Sequence, residues 1–371
     1  YQMQEKQQDP HIQYVPIATA TAVHPRNDSA SIVELASEEI FMVWIEMHAS
    51  PLGGNDEAPS SIASMRSTDG GLTWGQYRVE VSPGEGDLSI YNPSLVLLPN
   101  GDLLFFYLTY HHLVWNEPLQ ASGRIKRSID GGHTWSEPTV LWDHEPYGCA
   151  NHTFTLLSDG RLLKSCEFTP VWGSYPKCTS SSGFFISDDN GHVWAAPNEP
   201  GQLVTLPLRG TMENHIAETT SGQLVMAMRN QLGSVFFARS TDRGLSWLHP
   251  QASGLSASES MQSLTRIPTT GDLLLVWNNA TYDHTYDHSG KRTPLTVAIS
   301  RDEGHSWTHM KNIEDDPDTE FSNVACTHLS DRRFIISYFT STMADPNPPG
   351  RLGRERMSLK SAISTLDWLY D

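Results

Sequence analysis

The chain has 371 residues, of which 38% are hydrophobic and 23 are prolines, and 25 basic against 43 acidic side chains leave a formal charge of −18. That excess of negative charge repels phosphate backbones and anionic headgroups, so neither nucleic acid nor a lipid surface is an expected partner. No run of 18 apolar residues is present to form a membrane-spanning helix.

In chain order, the opening "YQMQEKQQDPHIQYVPIATATAV" lacks the basic start and apolar core of a signal peptide. It reads as a mature amino terminus, and residues 1–25 are expected to supply an outer strand that closes the last structural unit. An alternating run, a turn and a second alternating run then recur: "SASIVELASEEIFMVWIEM", "NPSLVLLPNGDLLFFYLTY", "NHTFTLLSDGRLLKSCEF", "ENHIAETTSGQLVMAMRN", "SLTRIPTTGDLLLVWNN" and "SNVACTHLSDRRFIISYF". Asn-Gly or Asp-Gly between alternating apolar residues predicts a β-hairpin. Each hairpin is followed by a third strand and then by an eight-residue box. The boxes are "STDGGLTW" from Ser67, "SIDGGHTW" from Ser128, "SDDNGHVW" from Ser187, "STDRGLSW" from Ser240 and "SRDEGHSW" from Ser300, so their starts are 61, 59, 53 and 60 residues apart. A further step of 61 reaches "SAISTLDW" at Ser361, which keeps the Ser and Trp368 but has lost the Asp and Gly. In such a box Asp caps its own turn, Gly accepts positive φ, and Trp packs beneath the hairpin.

Six registers of four strands each predict an all-β fold, a six-bladed β-propeller of four-stranded antiparallel blades in a single domain over residues 1–371. Equivalent strand ends collect on one face, opposite the boxes. First-strand starts bring Asp28, Asn92, Asn151 with His152, Glu213 with Asn214 and His215, and Glu259 to that mouth. Second-strand ends bring Glu46 with His48, Tyr110 with His111, Glu167, Arg229 and Asn278; third-strand starts add Arg124 and Arg292. Polar groups that converge on the mouth of a propeller mark it as the expected ligand site. Trp115, Trp172, Tyr175 and Tyr282 fall in neighbouring loops and are candidates to stack on sugar faces. "YDHTYDH", from Tyr282 to His288, offers imidazoles and carboxylates without a fixed scaffold, so aromatic contact is preferred there to metal binding. Neither a catalytic metal nor a cofactor is expected, beyond a structural ion that the central channel could hold. Three sequons, at Asn27, Asn151 and Asn279, point weakly to secretion. Cys166 and Cys178 are close enough in chain to pair; free buried thiols are the alternative.

The boxes resemble the Asp-box, or BNR, repeat, and six of them resemble the sialidase (neuraminidase) superfamily over nearly the whole chain. That resemblance implies a Glu opening the fourth hairpin and an Arg closing it, places held by Glu213 and Arg229. It matches Arg292 to the family's Arg ahead of the fifth box, and Asp56, in "GGNDEAPSS", to the catalytic Asp after the first hairpin. Two positions depart. The first-blade Arg is replaced at its register by Asp28 or Ser29, with only Arg26 nearby, and the nucleophilic Tyr before the sixth hairpin becomes Phe321. Tyr338 could substitute only if the register were shifted.

Three functions are open at this point. The first is a glycoside hydrolase acting on glycans with a terminal acidic sugar, with Asp56 and Glu213 as acid and base. Arg229 and Arg292 would then recognise the carboxylate, and His48, His111, Asn151, Trp115 and Tyr282 would contact the sugar. The second is a polysaccharide lyase cleaving beside a uronate, with His152 or His215 as base. The third is a propeller that binds carbohydrate without cleaving it.

Overall fold

A computed structural model of the chain describes residues 9–173, 176–197, 202–286, 288–342 and 356–371. The first strand, β1 (Gln13–Ala18), belongs to the last blade. Blade one is β2 (Asn27–Ala36), β3 (Glu39–Met47), β4 (Ser60–Ser67) and β5 (Gly75–Val81). Blade two is β6 (Ser89–Leu97), β7 (Leu103–His112), β8 (Gln120–Ser128) and β9 (Thr139–Glu145). Blade three holds β10 (Tyr147–Gly148), β11 (Phe154–Leu156), β12 (Leu162–Phe168) and β13 (Ser181–Ser187). Blade four is β14 (Met212–Glu218), β15 (Leu224–Arg229), β16 (Ser234–Ser240) and β17 (Gln251–Ser256). Blade five is β18 (Ser263–Arg266), β19 (Leu273–Asn278), β20 (Leu295–Ser300) and β21 (Thr308–Glu314). Blade six is β22 (Thr319–His328), β23 (Arg333–Thr342) and β24 (Ser358–Thr365), completed by β1 in the order β1-β24-β23-β22. The six-bladed propeller read from the repeats is the fold observed. β1 and β24 pair antiparallel with Gln13 opposite Ile363, so the amino-terminal strand closes the ring.

Blade three departs from its siblings. Its inner strand is split into β10 and β11, which pair with different parts of β12. In place of a regular outer strand, isolated bridges join Ser182 to Val204 and Ile186 to Ala195.

The inner strands share one device. Ser29, Asn92, Glu213 and Asn323 hold positive φ values of 52°, 50°, 48° and 54°, and the pairing register of each strand shifts at that point. A bulge there breaks the side-chain alternation and re-aims a residue out of the sheet. His152, φ 56°, sits at the same place in the gap of blade three.

Each of the five intact boxes folds as its composition requires. In the second, Ser128 Oγ donates to Asp130 Oδ1 (2.7 Å) and accepts the Gly132 amide (2.8 Å), while Asp130 Oδ1 accepts the Thr134 amide (2.9 Å). Gly132 needs its φ of 83°, which a Cβ would strain. The box tryptophans also reach across blades: Trp135 packs on Phe105 of its own blade and Phe41 of the preceding one. In the sixth register Thr365 caps a short helix, α1 (Leu366–Tyr370), and Trp368 Nε1 donates to Asp9 Oδ2 at 2.9 Å.

All four cysteines are free and buried, so the Cys166–Cys178 pairing does not form. Asn27 and Asn151 are buried, one accepting from Trp44 Nε1 and the other donating to the Ala30 carbonyl. Those two sequons therefore carry no surface asparagine. Among the described residues, no helix is long and apolar enough to cross a membrane.

Candidate active site

A cavity of about 230 Å³ opens at the mouth. The inner-strand bulges deliver Ser29, Asn92, Glu213 and Asn323 to its wall, and Asn151 enters through the gap in blade three. Its charged groups fall into two sectors.

In the first sector Arg26 stands immediately before β2. Its backbone is clamped between blades one and six: the Met47 amide donates to the Arg26 carbonyl and the Asn27 amide to that of Met357, both at 2.9 Å. The guanidinium is buried. Its Nε donates to Asp28 Oδ2 at 2.9 Å, and its Nη1 to the Gly54 carbonyl at 2.8 Å and to Asp56 Oδ1 at 2.7 Å. Burial opposes its charge, but the facing Asp28, Tyr91 and Asp56 outweigh that and hold it firmly protonated.

In the second sector Arg229 Nη1 donates to Glu213 Oε2 at 2.9 Å, and its Nη2 lies 3.3 Å from Glu259 Oε1. Arg209 Nη1 donates to the same Glu259 oxygen at 2.7 Å, and Gln231 to the other at 2.9 Å. Burial acts to raise the proton affinity of Glu259, but the two arginines override it and keep the group ionised. Arg292 and His288 complete this wall.

Glu167, at the end of β12, lies between the sectors and is only 7% exposed. Its Oε2 accepts the Glu213 amide at 2.6 Å, an amide presented by the positive φ of Glu213. Gly148 makes room for it, since a Cβ there would lie 2.8 Å from Glu167 Oε1. Burial, and then the charge of Glu213, push the Glu167 carboxyl up to about 7.

Of the residues nominated from sequence, the cavity wall includes Asp56, Glu213, Arg229, Arg292, Asn151, Trp115 and Trp172. Others lie elsewhere. His152 and His215 face a second cavity of about 360 Å³, which also reaches Ser158, Glu218 and Arg266 near the hairpin turns. There the His152 ring is used up as a brace: Nδ1 meets Ser31 Oγ at 2.9 Å and Nε2 the Cys326 carbonyl at 3.1 Å, linking blades three, one and six. Burial drops His152 to about 4, and burial together with nearby His152 drops His215 to about 3, so both stay neutral. The register count brought them to the mouth; His215 follows the bulge at Glu213 and His152 itself holds a positive φ, and both rings enter the channel instead. His48 bonds Ser61 Oγ and His111 bonds Ser122 Oγ, both behind the wall. Tyr282 is 49% exposed and packs beside Gly233. Tyr175 lies outside the described residues.

Three wall residues carry no signal in the hairpin register. Arg26 stands one residue before β2, outside the alternating register that points to Asp28 and Ser29, and its guanidinium reaches the cavity beside Ser29. Arg209 and Gln231 belong to loops, and only three-dimensional closure shows where they end. Phe321 is 3% exposed and packs edge-on to Tyr338 at 6.0 Å. Tyr338 turns away and donates to Glu314 Oε1 at 2.7 Å, while its neighbour Phe339 faces the cavity. The tyrosines that line it, Tyr91 and Tyr110, come from blade two, and burial raises the Tyr110 hydroxyl well above its ordinary value.

Residues 39–336 match the family model described as a BNR repeat-like domain. The chain is 25% identical over 310 residues to a sialidase of Bacteroides fragilis, covering 75% of this chain and 54% of that one. It is 26% identical over 289 residues to a sialidase of Micromonospora viridifaciens, covering 70% and 42%. The chain thus spans about half the length of the curated relatives it matches. The NanB sialidase from Streptococcus pneumoniae superposes with a TM-score of 0.71 at 12% identity, over 96% of this chain and 71% of that one.

Proposed function

The chain belongs to the BNR repeat-like domain family, and from that premise we propose that it is a sialidase-like glycoside hydrolase that releases a terminal acidic sugar. One observation carries this reading: Arg26, Arg229 and Arg292 line a single cavity together with Asp56 and Glu213. Guanidinium forks match a carboxylate in shape and charge, and three of them around one pocket select an anionic sugar.

The acid–base assignment follows from what holds each carboxylate. Asp56 is bound to Arg26 before substrate arrives. A sugar carboxylate that takes that guanidinium releases Asp56 beside a new negative charge, which raises its affinity for a proton. Asp56 then protonates the glycosidic oxygen as the bond to the anomeric carbon breaks. With Phe321 buried where the family places a tyrosine nucleophile, water is the attacking group. Glu213 takes its proton, and Arg229 holds Glu213 in place. One water is consumed, and direct displacement inverts the anomeric centre.

The two histidines named as base for an elimination beside a uronate, His152 and His215, face the channel rather than the mouth, whereas Asp56 and Glu213, named for hydrolysis, line it. Hydrolysis is therefore preferred. The test is digestion of sialylated and uronate-capped glycans, read by mass and by proton NMR of the fresh product. A gain of one water with the inverted anomer is expected; an unsaturated uronate without added water would overturn the reading.

A further inference from the structure

Blade two carries a second cluster of chemistry-bearing residues outside the cavity. His111 near the end of β7, Ser122 in β8, Asp143 and His144 in β9, and Asp87 in the turn before β6 meet at the edge of the sheet. Among the described residues, His111, Asp143 and His144 can each offer a ligand atom within 4.8 Å of the others.

Neighbouring residues in a strand normally point to opposite faces. Here two adjacent residues serve the same point, because β9 bulges: between the Ala121–Glu145 and Gly123–Trp142 pairs, Asp143 and His144 together oppose Ser122. His144 holds a positive φ of 54°, a conformation that disfavours a side-chain-bearing residue and persists only where its surroundings fix it. Both residues consequently converge on Ser122. Its Oγ donates to Asp143 Oδ1 at 2.7 Å and accepts the His144 amide at 3.1 Å. The outer strands of blades one and five shift register as well, but without a histidine beside a carboxylate at the shift.

The groups reach one another directly. His111 Nε2 lies 2.7 Å from Ser122 Oγ and its Nδ1 lies 3.4 Å from Asp87 Oδ1. His144 Nδ1 lies 3.1 Å from Asp143 Oδ1. The rings of His111 and His144 stack at 3.9 Å and 8°. Two carboxylates and two imidazoles thus face one another at one edge of the blade.

We propose that this cluster is a site for a divalent transition-metal cation of the zinc class, held by His111, Asp143 and His144 with Asp87 as the outer carboxylate. Mixed imidazole and carboxylate donors suit such an ion better than calcium or magnesium, which take oxygen ligands. Ring lone pairs lie in the ring plane, so binding turns His144 out of its parallel stack. Its side chain is 56% exposed and has room to do so. The ion ties β7 to β9 beside Tyr110 and Trp115 of the cavity wall, and the site does not depend on the reading of the mouth as a hydrolase.

The experiment is calorimetric titration of untagged, chelator-treated protein with zinc chloride. One equivalent bound with a micromolar dissociation constant is expected. His144→Ala, at an exposed position, should weaken binding at least tenfold while the circular dichroism spectrum stays unchanged, and Asp143→Asn should do the same. His24→Ala, beside the separate His24–His48 pair, should change nothing. Absence of binding overturns the site, as does binding that survives His144→Ala.

Discussion

Arg26, Arg229 and Arg292 are buried, and the partners of the first two are already carboxylates, so removing either of those uncovers a charge as well as a contact. Changing Arg229 or Arg292 to Ala should lower kcat/KM on acidic glycans by roughly 10²–10³, the scale seen when one preorganised donor is lost. Neutral glycosides serve as the control, and equal loss on both would remove carboxylate recognition from the account. Glu167 makes a different prediction. Its folded-state affinity for protons is raised, so between about 4.5 and about 7 the native chain holds more protons than the unfolded one. The stabilisation it gives is complete below the unfolded value and is lost as pH rises through about 7, on the order of 3 kcal/mol. Urea melts of wild type and Glu167→Gln should differ by that slope, since the amide keeps the neutral shape. Arg229 was legible in sequence because it ends a regular strand, and Arg292 because it lies just ahead of one. Arg26 was not, because it stands just before the first strand of its hairpin, where alternation assigns no side chain a direction.

At the scale of the element, the boxes were readable because their residues act locally. Ser, Asp and Gly bond within seven positions of one another, so spacing alone carried the geometry. Ser128→Ala should leave the Gly132 amide without its partner, costing about 1–3 kcal/mol. A denaturant midpoint lowered at constant slope would show it, and an unchanged midpoint would mean that water replaces the hydroxyl. The split inner strand of blade three was illegible for the opposite reason. "NHTFTLLSDGRLLKSCEF" alternates as well as its siblings do, and the break arises because Asn151 and His152 bond to blade one, far away in sequence. The channel histidines have depressed proton affinity, the reverse of Glu167. Their stabilisation is present above about 6.5 and is lost as pH falls towards 4 and 3. His215→Asn should flatten the acid limb of a stability–pH curve below about 6.5, while the slope that Glu167 gives between about 6.5 and 7 stays unchanged.

For the whole molecule, the six registers of the repeat set the blade count, and four-stranded units arranged around an axis bury their faces against one another. Function is set at a different level. The carboxylate cluster of the mouth draws Arg26 from blade one, Glu167 from blade three, Arg229 from blade four and the Arg292 loop from blade five, so no single repeat contains the site. Deleting residues 9–18 would strip β1 from β24 and expose the faces that bury Ile12 and Ile17. At about 1.5–3 kcal/mol for each side chain, a loss of about 3–6 kcal/mol is expected in equilibrium unfolding. A smaller effect would mean that blade six stands as three strands.

The clamp at Arg26 has a consequence in time. Its amide neighbours reach Met357 of the last blade, and β24 ends at Thr365. During synthesis the first arginine of the pocket therefore emerges early and waits, because the chain that will hold it is made more than 300 residues later. Blades can form one by one as they leave the ribosome, yet the pocket becomes competent in a single late event, when blade six closes on blade one. A chain stalled before Met357 would carry most of its blades and an open pocket.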